Sequence, residues 1–238
     1  MLFRSSSFDN RLAAQCRAAL AAQPDGDGLR TVTSELLRAE VDARRRLIDA
    51  VRSSALDPEI VARTAMLDDC YPGDAGVLVS LLLNAVQLQS GEALFLGPGN
   101  MHAYLRGTGI EVMANSDNVL RGGLTPKHID VDELLHILDP RPGELGRVQP
   151  IDENNGAMTR WPVPVDDFEL LRASPAGRTL PIRVQGPSVF LCTNGESTVS
   201  SEHGSVHLVR GAAAVAPATD TVTVDGDGVV FLARVGRV

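Results

Sequence analysis

Between Gly91 and Asp130 the chain carries His102, Tyr104, Glu111, Arg121 and Lys127, five polar side chains within about forty residues. These are the residue types that ligate metals, move protons and hold anionic groups. Apolar residues alternate around them, with Ala93 and Phe95 in one stretch and Ile110 and Val112 in another. Such a period is that of a strand, so the spacing predicts that several of the polar groups converge on one face of a sheet.

The elements around this segment read as two kinds. From Phe8 to Cys70 the chain is rich in Ala, Leu, Arg and Glu, and Leu36, Leu37, Val41, Leu47, Ile48 and Val51 recur at helical steps. A break at Gln23-Pro24-Asp25-Gly26-Asp27-Gly28 divides this region, and Asp57-Pro58-Glu59 reads as a helix start. The run Arg44-Arg45-Arg46 is read as a solvated helix face. Tyr71-Pro72-Gly73-Asp74 marks a boundary, followed by a short buried helix over 75–84 and a first strand over 85–89. Helical spacing returns over 131–138 and ends at Pro140. Residues 151–164 read as a linker, and 165–238 as short strands separated by Gly and Asn, the pattern of a jelly roll. The division expected is therefore a helical domain at 1–70, a partial catalytic β-domain at 71–150, the linker, and a C-terminal β-domain.

A net charge of −8 argues against a nucleic-acid partner, because a polyphosphate backbone selects basic surfaces. No apolar run reaches membrane-spanning length and the opening residues lack a signal-peptide core, so no membrane partner is expected. Cys16, Cys70 and Cys192 form neither a disulfide framework nor a zinc knuckle, which points to the cytoplasm.

Gly91, Gly99 and His102 hold the spacing of a cupin motif in which a strand delivers the chain to a tight turn that aims a histidine into a barrel mouth. Gly97 stands where that motif has proline, with Pro98 following. His102-Ala103-Tyr104-Leu105, Gly109-Ile110-Glu111-Val112-Met113-Ala114 and Ser116-Asp117-Asn118-Val119-Leu120-Arg121-Gly122-Gly123-Leu124-Thr125-Pro126-Lys127 together resemble the signature of type I mannose-6-phosphate isomerases. The resemblance extends through Tyr71-Pro72-Gly73-Asp74, Leu81-Leu82-Leu83-Asn84 and Gly91-Glu92-Ala93.

This resemblance implies a mainly β fold with α elements: cupin-type jelly rolls plus an inserted helical domain. It also implies zinc-dependent interconversion of mannose 6-phosphate and fructose 6-phosphate through a cis-enediol. Within it His102 matches a zinc ligand and Arg121 a catalytic arginine. Such chemistry needs a base to take a proton from carbon and a cation or metal to stabilise charge growing on oxygen. Glu111 is a candidate for proton transfer or for orienting a neighbour; Tyr104 and Lys127 are candidates for binding sugar hydroxyls or the phosphate. His136, His203 and His207 have no motif around them and are expected to be structural or solvated.

The family's Gln-x-His zinc motif is absent from the sequence. Phe3-Arg4-Ser5 resembles a point inside the family's catalytic domain, so the remaining zinc ligands are expected on a missing N-terminal fragment, and the first jelly roll is expected to expose strand edges and apolar surface. The chain then reads as a portion of the enzyme, half of a split enzyme or a degenerate copy. The alternative is a non-catalytic cupin module that binds a phosphosugar or a partner. Gly211 to Pro217 repeats part of the cupin spacing with no histidine after it, in keeping with such a module.

Overall fold

The computed structural model describes residues 10–115, 119–218 and 221–236. The chain divides into two compact units: Met1–Val86, Leu96–Gly107 and Asp117–Leu145 form the first, and Gln87–Phe95, Thr108–Ser116 and Gly146–Val238 the second. Residues 71–150 are thus shared between the two. Phe3-Arg4-Ser5 and Ser116-Asp117-Asn118, both used in the sequence reading, lie outside the described residues.

The first unit is helical. Helices α1 (Arg11–Ala22), α2 (Gly26–Arg38), α3 (Val41–Arg52), α4 (Pro58–Cys70), α5 (Ala75–Val79, continued by a 3₁₀ turn at Ser80–Leu82) and α6 (Val131–Ile137) enclose a core of Val32, Leu36, Leu47, Ile48, Val51, Val77 and Leu78. Starts are set by local chemistry. Asn10 caps α1 by accepting from Leu12 N at 2.9 Å, and Asp57 caps α4 by accepting from Glu59 N at 2.8 Å, with Pro58 as the first helical residue. The expected run of basic residues is solvated in part: Arg45 and Arg46 are exposed, but Arg44 turns inward and its Nε donates to Gly73 O at 3.0 Å. That bond ties α3 to the turn before α5. Cys16 is fully buried on α1, and burial pushes its thiol up to about 12. Because Cys192 is buried too and Cys70 exposed, a thiol reagent at neutral pH should modify Cys70 alone in the folded chain and all three cysteines after unfolding. Mass-spectrometric mapping would check this; labelling of Cys16 before unfolding would contradict its packing.

The second unit is sheet. Strands β1 (Ala93–Leu94) and β2 (Arg147–Val148) pair as a short ribbon. They are followed by β3 (Ile151–Glu153), β4 (Met158–Trp161), β5 (Glu169–Ala173), β6 (Leu180–Arg183), β7 (Ser188–Asn194), β8 (Glu196–Ser201), β9 (Gly204–Val209), β10 (Ala213–Ala216), β11 (Thr221–Gly226) and β12 (Val229–Arg234). One antiparallel sheet has the order β10-β7-β12-β5-β4-β3 and the other β6-β11-β8-β9. Alternate residues point to one side. Phe190, Cys192, Leu171, Val230 and Leu232 from the larger sheet therefore share a core with Ile182, Val199, Leu208, Val222 and Val224 from the smaller. The expected jelly-roll arrangement of stacked antiparallel sheets is what this unit shows.

At the edge of that core Glu169, which is buried, and Arg234, whose side chain is 9% exposed, sit opposite each other across β5 and β12. Arg234 Nε and Nη2 donate to Glu169 Oε2 at 2.8 and 2.6 Å, and Arg160 Nε lies 3.5 Å from Glu169 Oε1.

Two expectations need correction. Residues 85–89, read as a strand, pair with nothing among the described residues; their apolar alternation finds no ladder to join. Residues 151–164, read as a linker, carry β3 and β4 of the larger sheet. Their polar side chains are engaged across the hairpin: Thr159 Oγ1 lies 2.9 Å from Asp152 Oδ1, and Arg160 Nε donates to Glu153 Oε1 at 3.0 Å. Cross-strand polar pairs join the two strands, while Ala157 and Met158 pack into the core of the unit.

Candidate functional site

The stretches bearing His102, Tyr104, Arg121 and Lys127 are held by a few close contacts within the first unit. His102 follows a turn in which Asn100 N donates to Gly97 O at 3.3 Å and Gly99 has φ +76°. A Cβ on Gly99 would lie 2.5 Å from Ile137 O, and Asp139 N donates to Gly99 O at 3.0 Å. The turn is therefore seated on the end of α6. His102 is exposed; its Nδ1 is 3.0 Å from Asn100 O, and its ring meets that of Tyr104 edge-on with centroids 5.9 Å apart.

The loop bearing Arg121 and Lys127 is fixed separately. Asp74 caps α5 by accepting from Gly76 N at 2.7 Å, and the same Oδ1 accepts from Leu124 N at 2.8 Å. Gly123 (φ +123°) passes so close to Gly76 that an added Cβ would lie 2.4 Å from Gly76 Cα. Met101 packs beside Gly122, where a Cβ would meet its Cε at 3.0 Å. Met101, Leu120 and Leu124 all pack on the helical core. The residues flanking His102 and those flanking Arg121 thus touch through Met101 and Gly122, while both candidate side chains stay exposed.

Replacing Asp74 with alanine removes a helix cap and the clamp on Leu124 N together. The expected loss is about 1–2 kcal/mol in the first unit, measured by denaturant unfolding. An unchanged midpoint would show that the loop does not depend on this carboxylate.

The predicted convergence on one sheet face is not what the structure shows. None of His102, Tyr104, Glu111, Arg121 and Lys127 lies in a strand, and all are exposed. Glu111 belongs to the second unit, whereas the other four belong to the first. From Ile110 to Asn115 burial alternates as in a strand, yet no partner pairs with it among the described residues. Tyr104, Met113 and Val119 are 76%, 62% and 52% exposed, so the expected apolar surface is present along this segment. Among the described residues no three His, Cys, Asp or Glu side chains gather to hold a metal ion. His102 alone therefore does not make a zinc site, which needs three or more protein ligands.

Sequence reasoning missed Asp74 and Met101 as the anchors of these loops. Tyr71-Pro72-Gly73-Asp74 was legible only as a boundary, although an Asp two residues before Gly76 is a cap signal.

No protein-family profile matches the chain. It is 37% identical over 219 residues to the mannose-6-phosphate isomerase of Escherichia coli K12, covering 90% of this chain and 55% of that protein. The chain is related to the mannose-6-phosphate isomerases. A fungal mannose-6-phosphate isomerase, from Cryptococcus neoformans, is 42% identical over 161 residues, 65% of this chain and 37% of its own length. The crystal structure of a variant of phosphomannose isomerase from Salmonella typhimurium superposes with a TM-score of 0.81 at 31% identity, covering 95% of this chain and 61% of that one. The chain spans about half the length of the curated isomerases it matches in E. coli and S. flexneri.

Proposed function

We propose that this chain is a portion of a zinc-dependent, cytoplasmic mannose-6-phosphate isomerase, and that it acts with a complementing polypeptide. The observation that carries the reading is the identity of 37% over 219 residues to a bacterial isomerase. In this reading His102 is the chain's own zinc ligand, and a bound zinc would supply Lewis-acid stabilisation of the substrate oxygens. Because the metal set is incomplete among the described residues, the remaining ligands would come from the complementing polypeptide.

The chain's own groups have tasks that follow from their chemistry. Isomerisation removes a proton from one carbon and returns it to the next, leaving enediol oxygens that gain negative charge. Arg121, always cationic, would hold that charge; Lys127 would meet the phosphate dianion; Tyr104 would hydrogen-bond a sugar hydroxyl. Glu111 would carry the proton. Exposure supports the complementation reading: in water these charges are screened, and a cation stabilises a transition state far better once water is excluded.

Turnover of mannose 6-phosphate should appear, with zinc, when the chain is mixed with a fragment of a relative carrying Gln-x-His and the remaining zinc ligands. Arg121→Ala in that mixture should lower kcat by about 10²–10³. Equal turnover by the lone chain would overturn the ligand assignment. The incomplete metal set favours one second reading, a non-catalytic module; binding of mannose 6-phosphate without turnover in the mixture would select it.

A further inference from the structure

A cleft in the second unit has the chemistry of a binding site, and none of His102, Tyr104, Glu111, Arg121 and Lys127 lines it. In the larger sheet Leu171 and Ala173 face the shared core, so their neighbours Leu170 and Arg172, with their partners Trp161 and Thr159, face the other side. The segments at 90–93 and 147–150 stand over that side and enclose a space of about 340 Å³. This is within the range of small-molecule sites, roughly 300–1,000 Å³. Trp161 forms part of its wall; the indole stacks on Phe231 and Nε1 donates to Gly91 O at 2.9 Å, so the ring is locked in place.

The polar groups of the cleft are arranged as alternating donors and acceptors. Arg172 Nη2 donates to Thr159 Oγ1 at 2.9 Å, and Thr159 Oγ1 passes its own proton toward Asp152 Oδ1 at 2.9 Å. On the other wall Arg147 Nη1 lies 3.2 Å from Glu92 Oε2. Arg147 is thus paired directly with a carboxylate, and Arg172 is linked to one through the Thr159 hydroxyl. A phosphate or carboxylate ligand would have to approach both Asp152 and Glu92, and would compete with Glu92 for Arg147 and with Thr159 for Arg172. A hydroxyl suits the site better, because it donates to a carboxylate oxygen and accepts from a guanidinium at once; Gln149, in the same lining, adds an amide able to do both.

We propose that this cleft binds a neutral polyhydroxyl ligand, an unphosphorylated monosaccharide. The proposal concerns the second unit and does not rest on the isomerase reading.

Trp161 is the chain's single tryptophan, so its fluorescence reports the cleft directly. Titration of the chain with mannose, fructose and glucose should give a saturable change in emission for at least one of them, with a dissociation constant in the millimolar range. Asp152→Asn and Gln149→Ala, at exposed positions, should each weaken that binding about tenfold while leaving the circular dichroism unchanged, the expected loss of one hydrogen bond to a bound hydroxyl. Inorganic phosphate and mannose 6-phosphate should bind no more tightly than the neutral sugars. The proposal fails if no neutral sugar saturates the signal, if both variants bind as the parent does, or if phosphate alone binds more tightly.

Discussion

Gly123→Ala is expected to destabilise the first unit by about 3 kcal/mol or more and to unseat the loop that carries Arg121 and Lys127. Two effects add. A side chain at φ +123° is strained, and the new Cβ would lie 2.4 Å from Gly76 Cα, closer than real Cβ atoms come. The obstacle is backbone, so no rotamer change relieves it. Gly107 separates the two effects: it has φ +111° but open space around the added atom. Gly107→Ala should therefore show only the conformational part, about 1–2 kcal/mol. Denaturant midpoints of the two variants give the cost of the contact by difference. Equal midpoints would mean that the loop moves away from α5 without loss, and that the approach of Gly123 to Gly76 does not fix Arg121.

The second large effect is expected at Glu169. Its replacement by alanine leaves Arg234 opposite an empty position, and removal of one partner from a buried pair costs about 3–5 kcal/mol. Arg234 keeps its bond to Arg183 O, and Arg160 keeps Glu153 3.0 Å away, so the sheet edge should loosen rather than collapse. The exposed pair Arg38 and Asp132 in the first unit provides the contrast, since breaking it should change stability by less than about 1 kcal/mol. Calorimetric or denaturant unfolding of Glu169→Ala and Asp132→Ala would compare them. A loss at Glu169 no larger than at Asp132 would show that the buried pair contributes nothing beyond surface charge.

The sequence was most readable where a local signal suffices. Asp57 and Pro58 start α4 because capping needs only neighbours in sequence. Strands β7, β8, β11 and β12 follow their own alternation, with Gly195, Gly204 and Gly226 at the turns taking positive φ. Strand β6 lacks such a signal. It contains Pro181, which argues against a central strand but is tolerated here because β6 lies at the end of its sheet. The hairpin β3–β4 was missed because its polar residues satisfy each other across strands, a relation invisible along one segment. The site was legible as residue types and family resemblance, not as geometry: the contacts that seat it, Asp74 with Leu124 and Met101 with Gly122, join positions distant in sequence.

The order of the larger sheet has a consequence for synthesis. Strand β12 lies between β7 and β5, so it joins the hairpin stack β3–β4–β5 to the pair β7–β10. All of those strands precede it in sequence. As the chain emerges from the ribosome, two half-sheets can form, but each presents an open edge until residues 229–234 arrive to close the gap. The larger sheet is thus completed by β12, the strand that follows all its neighbours in sequence. During that interval its unpaired edges are where a chaperone, or another nascent chain, would bind.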